Sequence, residues 1–194
     1  MDERLIHHDV IVFDVGNVLV QFDPVRISEG FGLSDALYRG VFESGLWPWI
    51  DTGLMTTGEL AEMMCQAAHT DSRDDYLKVS YLLENFDQME RPYSGSLLLP
   101  EMKQAGKKLY YLTNYSTPVF ERTMARFPFF GYFDGGVVSS HVHAVKPMPR
   151  IYEILCEKYG FKPQDALFVD DNADNIAAAE KLGFAVWQFS GEPI

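Results

Sequence analysis

At 194 residues and 47% hydrophobic content, the chain can bury a full core, and its length fits one domain or one domain carrying an insertion. A formal net charge of −12 with no dense Lys/Arg run excludes nucleic-acid binding by phosphate neutralisation, so an anionic ligand must be met by a local cation or a metal. No apolar run approaches the ~18 residues of a membrane span, Met1 to Asp9 lack a signal-peptide pattern, and Cys65 and Cys156 have no metal-ligand spacing; the expectation is a cytoplasmic protein with reduced thiols and no membrane partner.

The first apolar run, Val10-Ile11-Val12-Phe13, reads as a buried strand ending at Asp14, with His7 and His8 a solvated entry before it. Asp23 before Pro24 fits an N-cap followed by the first helical residue. From about Pro24 to Tyr93 the signals are helical: Ser34-Asp35, the capping box Thr56-Thr57-Gly58-Glu59, and Ser72-Arg73-Asp74-Asp75. A crossover between parallel strands needs only about a dozen residues and one helix. The stretch is therefore an insertion, and because it leaves the sheet just after Asp14 it should cover the strand ends as a lid. Within it, Trp47, Trp49 and Asp51 are candidates for a substrate-selecting surface, with helix packing the competing use of the tryptophans.

The later half alternates regularly. A helix ending near Gly106 precedes strand 108–112, and a helix with Thr117-Pro118 as N-cap and first residue precedes strand 137–139. A helix from Pro149 to Tyr159 stops at Gly160 before strand 166–169, and one from Ala173 to Leu182 stops at Gly183 before strand 184–187. With the first strand this makes five short strands separated by helices, a doubly wound (Rossmann-like) parallel α/β fold with an inserted helical cap. The core is expected over 1–22 and 94–194, and the cap over 23–93.

In such a sheet, ligands bind outside the carboxyl ends of the strands. Asp14, Thr113, the adjacent Asp170 and Asp171, and Lys146 in the loop after Val137-Val138 all fall at those ends. A strand-tip carboxylate at Asp14 can attack phosphorus and form an aspartyl-phosphate. Hard oxygen ligands of the Asp170-Asp171 kind suit Mg²⁺. The Thr113 hydroxyl, Asn114 and neighbouring N–H groups precede a helix and can hold phosphate oxygens. Lys146 can neutralise charge on the nucleophile and the transferring phosphoryl group. Asp174, in the first turn of the next helix, serves that helix's dipole. His141 and His143 flank the approach to Lys146.

Four segments together resemble the haloacid dehalogenase-like (HAD) hydrolase superfamily: Phe13-Asp14-Val15-Gly16-Asn17-Val18-Leu19-Val20, Leu112-Thr113-Asn114, Lys146-Pro147, and Phe168-Val169-Asp170-Asp171-Asn172-Ala173-Asp174-Asn175. They look most like the helical-cap branch that includes bacterial glucose-1-phosphate phosphatases. The resemblance implies Asp14, the Gly16 backbone carbonyl and Asp171 as direct Mg²⁺ ligands, with Asp170 behind them. It implies a small phosphorylated metabolite, most naturally a sugar phosphate, as substrate. The departure from the wider family is Gly16, where most of its phosphatases carry a second Asp that protonates the leaving oxygen. General acid–base assistance is worth ~10²–10⁴-fold, so the gap matters unless another group or a good leaving group compensates. A haloacid dehalogenase or phosphotransferase, and a phosphometabolite-binding protein with weak catalysis, are the alternatives.

Overall fold

In the computed structural model, which describes residues 3–194, five parallel strands form one sheet in the order β3-β2-β1-β4-β5. A short helix α1 (Glu3–Ile6) leads into β1 (Val10–Phe13). The insertion carries α2 (Pro24–Phe31), α3 (Asp35–Tyr38), α4 (Thr57–Ala67) and α5 (Arg73–Asn85), with 3-10 turns at Trp47–Thr52 and Phe86–Met89. Helix α6 (Leu99–Gln104) enters β2 (Lys108–Thr113), followed by α7 (Thr117–Arg126), β3 (Gly135–Val138) and α8 (Ser139–Val142). The chain closes with α9 (Pro149–Tyr159), β4 (Ala166–Asp170), α10 (Ala173–Leu182) and β5 (Ala185–Gln188). Met1 and Asp2 of the expected core segment 1–22 lie outside the described residues.

The chain runs from β1 outward through β2 to β3, then returns to place β4 on the other side of β1. Connections thus diverge on either side of β1, which opens a crevice at its carboxyl end. Register then decides what meets there. Phe13 pairs with Tyr111 on one side and Val169 on the other, so Asp14, the next residue, stands level with Leu112 and Asp170. The Asp14 N–H donates to the Val169 carbonyl at 2.8 Å, extending the ladder to the strand tip.

Side chains alternate across the sheet as a period of two requires. Ile11, Phe13, Leu109, Leu167 and Val169 pack on one face; Val12, Leu112, Ala166 and Phe168 pack on the other, under α9 and α10. The first face is continuous with the interior of the insertion, where Leu60, Met64, Val79, Leu82 and Leu83 are fully buried. These come from one side of α4 and α5, which pack against each other.

Helix boundaries follow local chemistry. Asp23 caps α2 through the Arg26 N–H, and Ser34 and Ser72 cap α3 and α5. At α4 both halves of the Thr56–Glu59 capping box are made. Gly160 and Gly183 end α9 and α10 with left-handed backbone. Several boundaries shift by a residue or two: Ser116, not Thr117, is the N-cap of α7, with Pro118 second in the helix; Thr113 and Asp170 are the last residues of β2 and β4 rather than the first after them; β3 ends at Val138 and starts at Gly135 rather than running 137–139, and β5 starts at Ala185 rather than 184.

Helix α7 is fastened to the end of the insertion by a polar seam. The Arg122 guanidinium meets the Asp87 carboxylate at 2.7 Å and also donates to the Glu84 carbonyl. Next to it the buried Glu90 accepts from the Tyr115 hydroxyl and, at 2.8 Å, from Thr123 Oγ1.

Candidate active site

Four of the expected residues converge as an ion cluster. Lys146 Nζ lies 2.8 Å from Asp14 Oδ1 and 2.7 Å from Asp170 Oδ2, and all three side chains are nearly sealed from water. Asp171, half-buried, completes a group in which Asp14, Asp170 and Asp171 each present a carboxylate oxygen within 4.8 Å of the others. Burying charges is costly unless they are paired. Each is accordingly held by further hydrogen bonds. Asp14 Oδ1 accepts from the Val15 N–H at 2.7 Å. Asp170 accepts from the Asn172 N–H at 2.8 Å and from Asn175 Nδ2, which lies 3.1 Å from both its oxygens.

The electrostatics follow from this crowding. Burial pushes the Asp14 carboxyl up to about 7; Lys146 pulls it down and Asp170 pushes it further up. Burial also raises Asp171, with Asp170 adding to the rise. For Lys146 burial works against the charge, but Asp14 and Asp170 outweigh it and hold the ammonium above its usual range.

The residues present fit a divalent cation. Three carboxylates face one ammonium, so the ionised cluster carries two uncompensated negative charges, and all the side-chain donors are hard oxygens, the set that suits Mg²⁺. They also fit a phosphate group. Thr113 Oγ1 is buried without a hydrogen-bond partner, and Thr113 lines the same cavity as Asp14 and Lys146. A buried unpaired hydroxyl is costly, and a phosphate oxygen would satisfy it.

Asn114 lines the same cavity and is tied to the Lys146 backbone. Its carboxamide donates to the Lys146 carbonyl at 2.9 Å and accepts from the Lys146 N–H at 2.8 Å, which fixes the backbone carrying the ammonium. Gly16 lines the cavity; a Cβ built there would meet nothing within 4 Å, so packing does not demand glycine. Asp174 is in the first turn of α10 and Asp23 is committed to capping α2.

The cavity above the cluster holds about 280 Å³; Trp47, Asp51 and Phe86 of the insertion line it, with Phe22 and Tyr115 from the core. Trp47 stacks on Phe42 at 4.9 Å between centroids and meets Phe22 and Phe86 at 5.3 Å. Trp49 is exposed outside the cavity lining. His143 Nδ1 donates to the Thr52 carbonyl at 2.9 Å, so this histidine ties the insertion down; His141 is exposed.

Further residues at the site had no role assigned from the sequence. Asn175 and Asn172 hold Asp170, and their spacing after the acidic pair, with Asn172 also capping α10, was the available signal. Asn17, in left-handed backbone, accepts from the Phe22 N–H at 2.9 Å and its side chain also bonds Asp171. Phe22, Phe86 and Tyr115 gave no signal, because an aromatic among aromatics marks a cavity wall only once the chain is folded.

A family model described as haloacid dehalogenase-like hydrolase matches residues 8–183. The phosphoglycolate phosphatase of Pasteurella multocida is 33% identical over 187 residues, covering 91% of this chain and 83% of that enzyme. The phosphoglycolate phosphatase of Haemophilus influenzae is 33% identical over 107 residues, 55% of this chain and only 48% of its own length. Among solved structures, a HAD family enzyme of Bacteroides thetaiotaomicron, crystallised with magnesium and inorganic phosphate, superposes at a TM-score of 0.71 with 21% identity, covering 93% of each chain.

Proposed function

The chain belongs to the haloacid dehalogenase-like hydrolase family, and on that premise we propose that it is a Mg²⁺-dependent phosphomonoesterase working through an aspartyl-phosphate on Asp14. The observation that carries the reading is the buried Lys146 ammonium, within 2.8 Å of the Asp14 carboxylate, beside the partnerless Thr113 hydroxyl. That arrangement has a nucleophile, a fixed cation and a vacant donor on one side of one cavity. The phosphatase names of the relatives and the magnesium and phosphate in the Bacteroides enzyme support the same reading.

In this scheme Thr113 and backbone N–H groups before α7 bind the phosphoryl oxygens. An Asp14 oxygen attacks phosphorus, the bond to the ester oxygen breaks, and Lys146 stabilises the charge that spreads over the transferring group. Water then cleaves the aspartyl-phosphate. Asp14, the Gly16 carbonyl and Asp171, with Asp170 behind them, would hold a magnesium ion, which when bound would offset the repulsion between anionic nucleophile and anionic substrate. Asn114, Asn172 and Asn175 keep Lys146 and Asp170 in place.

Residues 23–93 act as a cap over the core of 1–22 and 94–194, excluding water from the phosphoryl transfer. The substrate is a small phosphorylated metabolite, with a sugar phosphate favoured: the aromatic wall of Phe22, Trp47 and Phe86 offers ring faces, and Asp51 offers a carboxyl group to hydroxyls. Among the described residues that wall holds no cation to meet a second anionic group. A dehalogenase needs no metal and would leave the three-carboxylate cluster uncompensated, which disfavours that alternative.

The test is phosphate release from a panel of sugar phosphates, nucleotides and an aryl phosphate with and without Mg²⁺. The expected result is release that requires Mg²⁺ and is strongest for neutral sugar monophosphates. Release indifferent to chelation would remove the metal from the reading, and none from any compound would favour a binding protein.

A further inference from the structure

An alcohol leaving group needs a proton, and the position that usually supplies it in phosphatases of this family is Gly16, which has no side chain. We propose that Asp51, from the insertion, is the general acid that protonates the leaving oxygen and then the general base that activates water. The proposal rests on the phosphatase reading and assigns one more catalytic residue to it.

The cavity narrows the choice. The titratable side chains lining it are Asp14, Asp51, Tyr115, Lys146 and Asp171. Asp14 is the nucleophile, Lys146 is salt-bridged to Asp14 and Asp170, and Asp171 belongs to the carboxylate cluster. Tyr115 donates its hydroxyl proton to Glu90. Asp51 is left, on the wall facing the cluster, where the organic part of an ester attached to Asp14-bound phosphorus would lie.

Its position is built in by contacts to the loop leading to Lys146. Ser139 Oγ donates to the Asp51 carbonyl at 2.5 Å, and the Tyr115 N–H donates to the same oxygen of Ser139 at 2.9 Å. One residue on, the Thr52 carbonyl takes the proton of His143 Nδ1. Gly53 then turns with φ +65° so close to α8 that a Cβ would come within 2.7 Å of the Ser140 carbonyl oxygen. Three consecutive residues of the insertion are thus seated on the core beside the reaction centre, and the first of them, following the apolar run Trp47 to Ile50, lines the cavity. Burial pushes that carboxyl up to about 8, Asp14 adding to the rise and Lys146 opposing it, the direction a proton donor needs.

The steps balance. As the Asp14 oxygen bonds to phosphorus, the ester P–O bond breaks, its electron pair stays on the leaving oxygen, and that oxygen takes the Asp51 proton to leave as an alcohol. The Asp51 carboxylate then removes a proton from water as its oxygen attacks the aspartyl-phosphate. The P–O bond to Asp14 breaks, phosphate departs, and both side chains return to their starting states.

The test compares single-turnover release of the leaving group from an aryl phosphate, whose phenolate needs no proton, and from an alkyl phosphate such as glycerol 2-phosphate, in Mg²⁺-loaded native protein and Asp51→Asn. Release of the alcohol is expected to fall by about 10²–10⁴-fold in the variant, release of the phenol by less than about tenfold, with phosphoenzyme accumulating because the second step lacks its base. Adding Gly16→Asp to Asp51→Asn should restore alkyl turnover, since the space at Gly16 is open. Affinity for Mg²⁺ and inorganic phosphate by calorimetry should be unchanged, separating lost proton transfer from lost structure. Equal losses on both esters, or none on either, would overturn the assignment. A native protein that releases nothing from the aryl phosphate would instead sink the phosphatase reading beneath it.

Discussion

At the carboxyl edge of the sheet, Asp14, Lys146 and Asp170 are buried together as charges, whereas the helical insertion fills its interior with Leu37, Val41, Leu60, Met64, Val79, Leu82 and Leu83. The first arrangement is costly for folding and serves chemistry. Ion pairs of this kind contribute little net stability, but removing one partner strands the other in a low dielectric. The second arrangement stabilises by apolar burial and tolerates other aliphatic side chains of similar volume. The insertion departs from that rule at its contacts with the core: the Asp51 to Gly53 turn seated on α8, the aromatic wall around Trp47, and the seam of Asp87 and Glu90 with α7 and Tyr115. One region is specialised throughout, and the other at its contacts with the first.

The sharpest contrast comes from substitutions at the strand tips. Asp14→Asn should reduce phosphate release by at least about 10³-fold, as expected for loss of a covalent nucleophile. It should leave thermal stability unchanged or raised, because it removes a carboxylate whose ionisation burial opposes. Thermal denaturation alongside the assay checks both halves. Lys146→Met keeps the volume but deletes the charge between Asp14 and Asp170. It should destabilise by about 3–5 kcal/mol, read as a lower urea midpoint, and raising Mg²⁺ should recover part of the loss.

Substitutions in the insertion should be milder and of another kind. Gly53→Ala places a side chain at φ +65° and against the Ser140 carbonyl. It should cost about 1–3 kcal/mol and slow alkyl-ester turnover about tenfold, while Mg²⁺ affinity by calorimetry stays native. A loss of Mg²⁺ binding there would break the distinction between the two regions. The smallest effect belongs to the seam. Glu90, pushed up to about 7 mainly by burial against the opposing pull of the Tyr115 and Thr123 hydroxyls, starts from a reference value of 4.5. Its folded pKa lies above its unfolded one, so its contribution to stability is complete below about pH 4.5 and is lost as pH rises through about 7. Urea midpoints between pH 5 and 8 should fall in the native protein, and Glu90→Gln should flatten that slope by on the order of 1 kcal/mol.

The same division governs what could be read in the sequence. The strand tips were legible because apolar runs of four residues end abruptly in Asp14, Thr113 and Asp170, and sheet topology brings strand ends together whatever lies between them. Helices with capping signals were legible for a similar local reason, as at Thr56–Glu59 and Gly183. Asn114 was placed at the site, but its task was not foreseen: its bonds to the Lys146 backbone join residues 32 positions apart, and no local pattern encodes such a pair. Asp51 could be noted as a polar residue just after two tryptophans, yet its entry into the cavity depends on how the turn docks on Ser139 and His143. Phe86 and Tyr115 lie on opposite sides of the junction between insertion and core and meet only when it closes, with ring centroids 5.7 Å apart.

The most direct measurement is acid quenching of the Mg²⁺-loaded protein during turnover of an aryl phosphate, followed by mass spectrometry of its peptides. A phosphoryl adduct on Asp14, absent in Asp14→Asn and more abundant in Asp51→Asn, is the expected result. Steady phosphate release with no adduct, or with the adduct on another residue, would contradict the assignment of Asp14 as nucleophile.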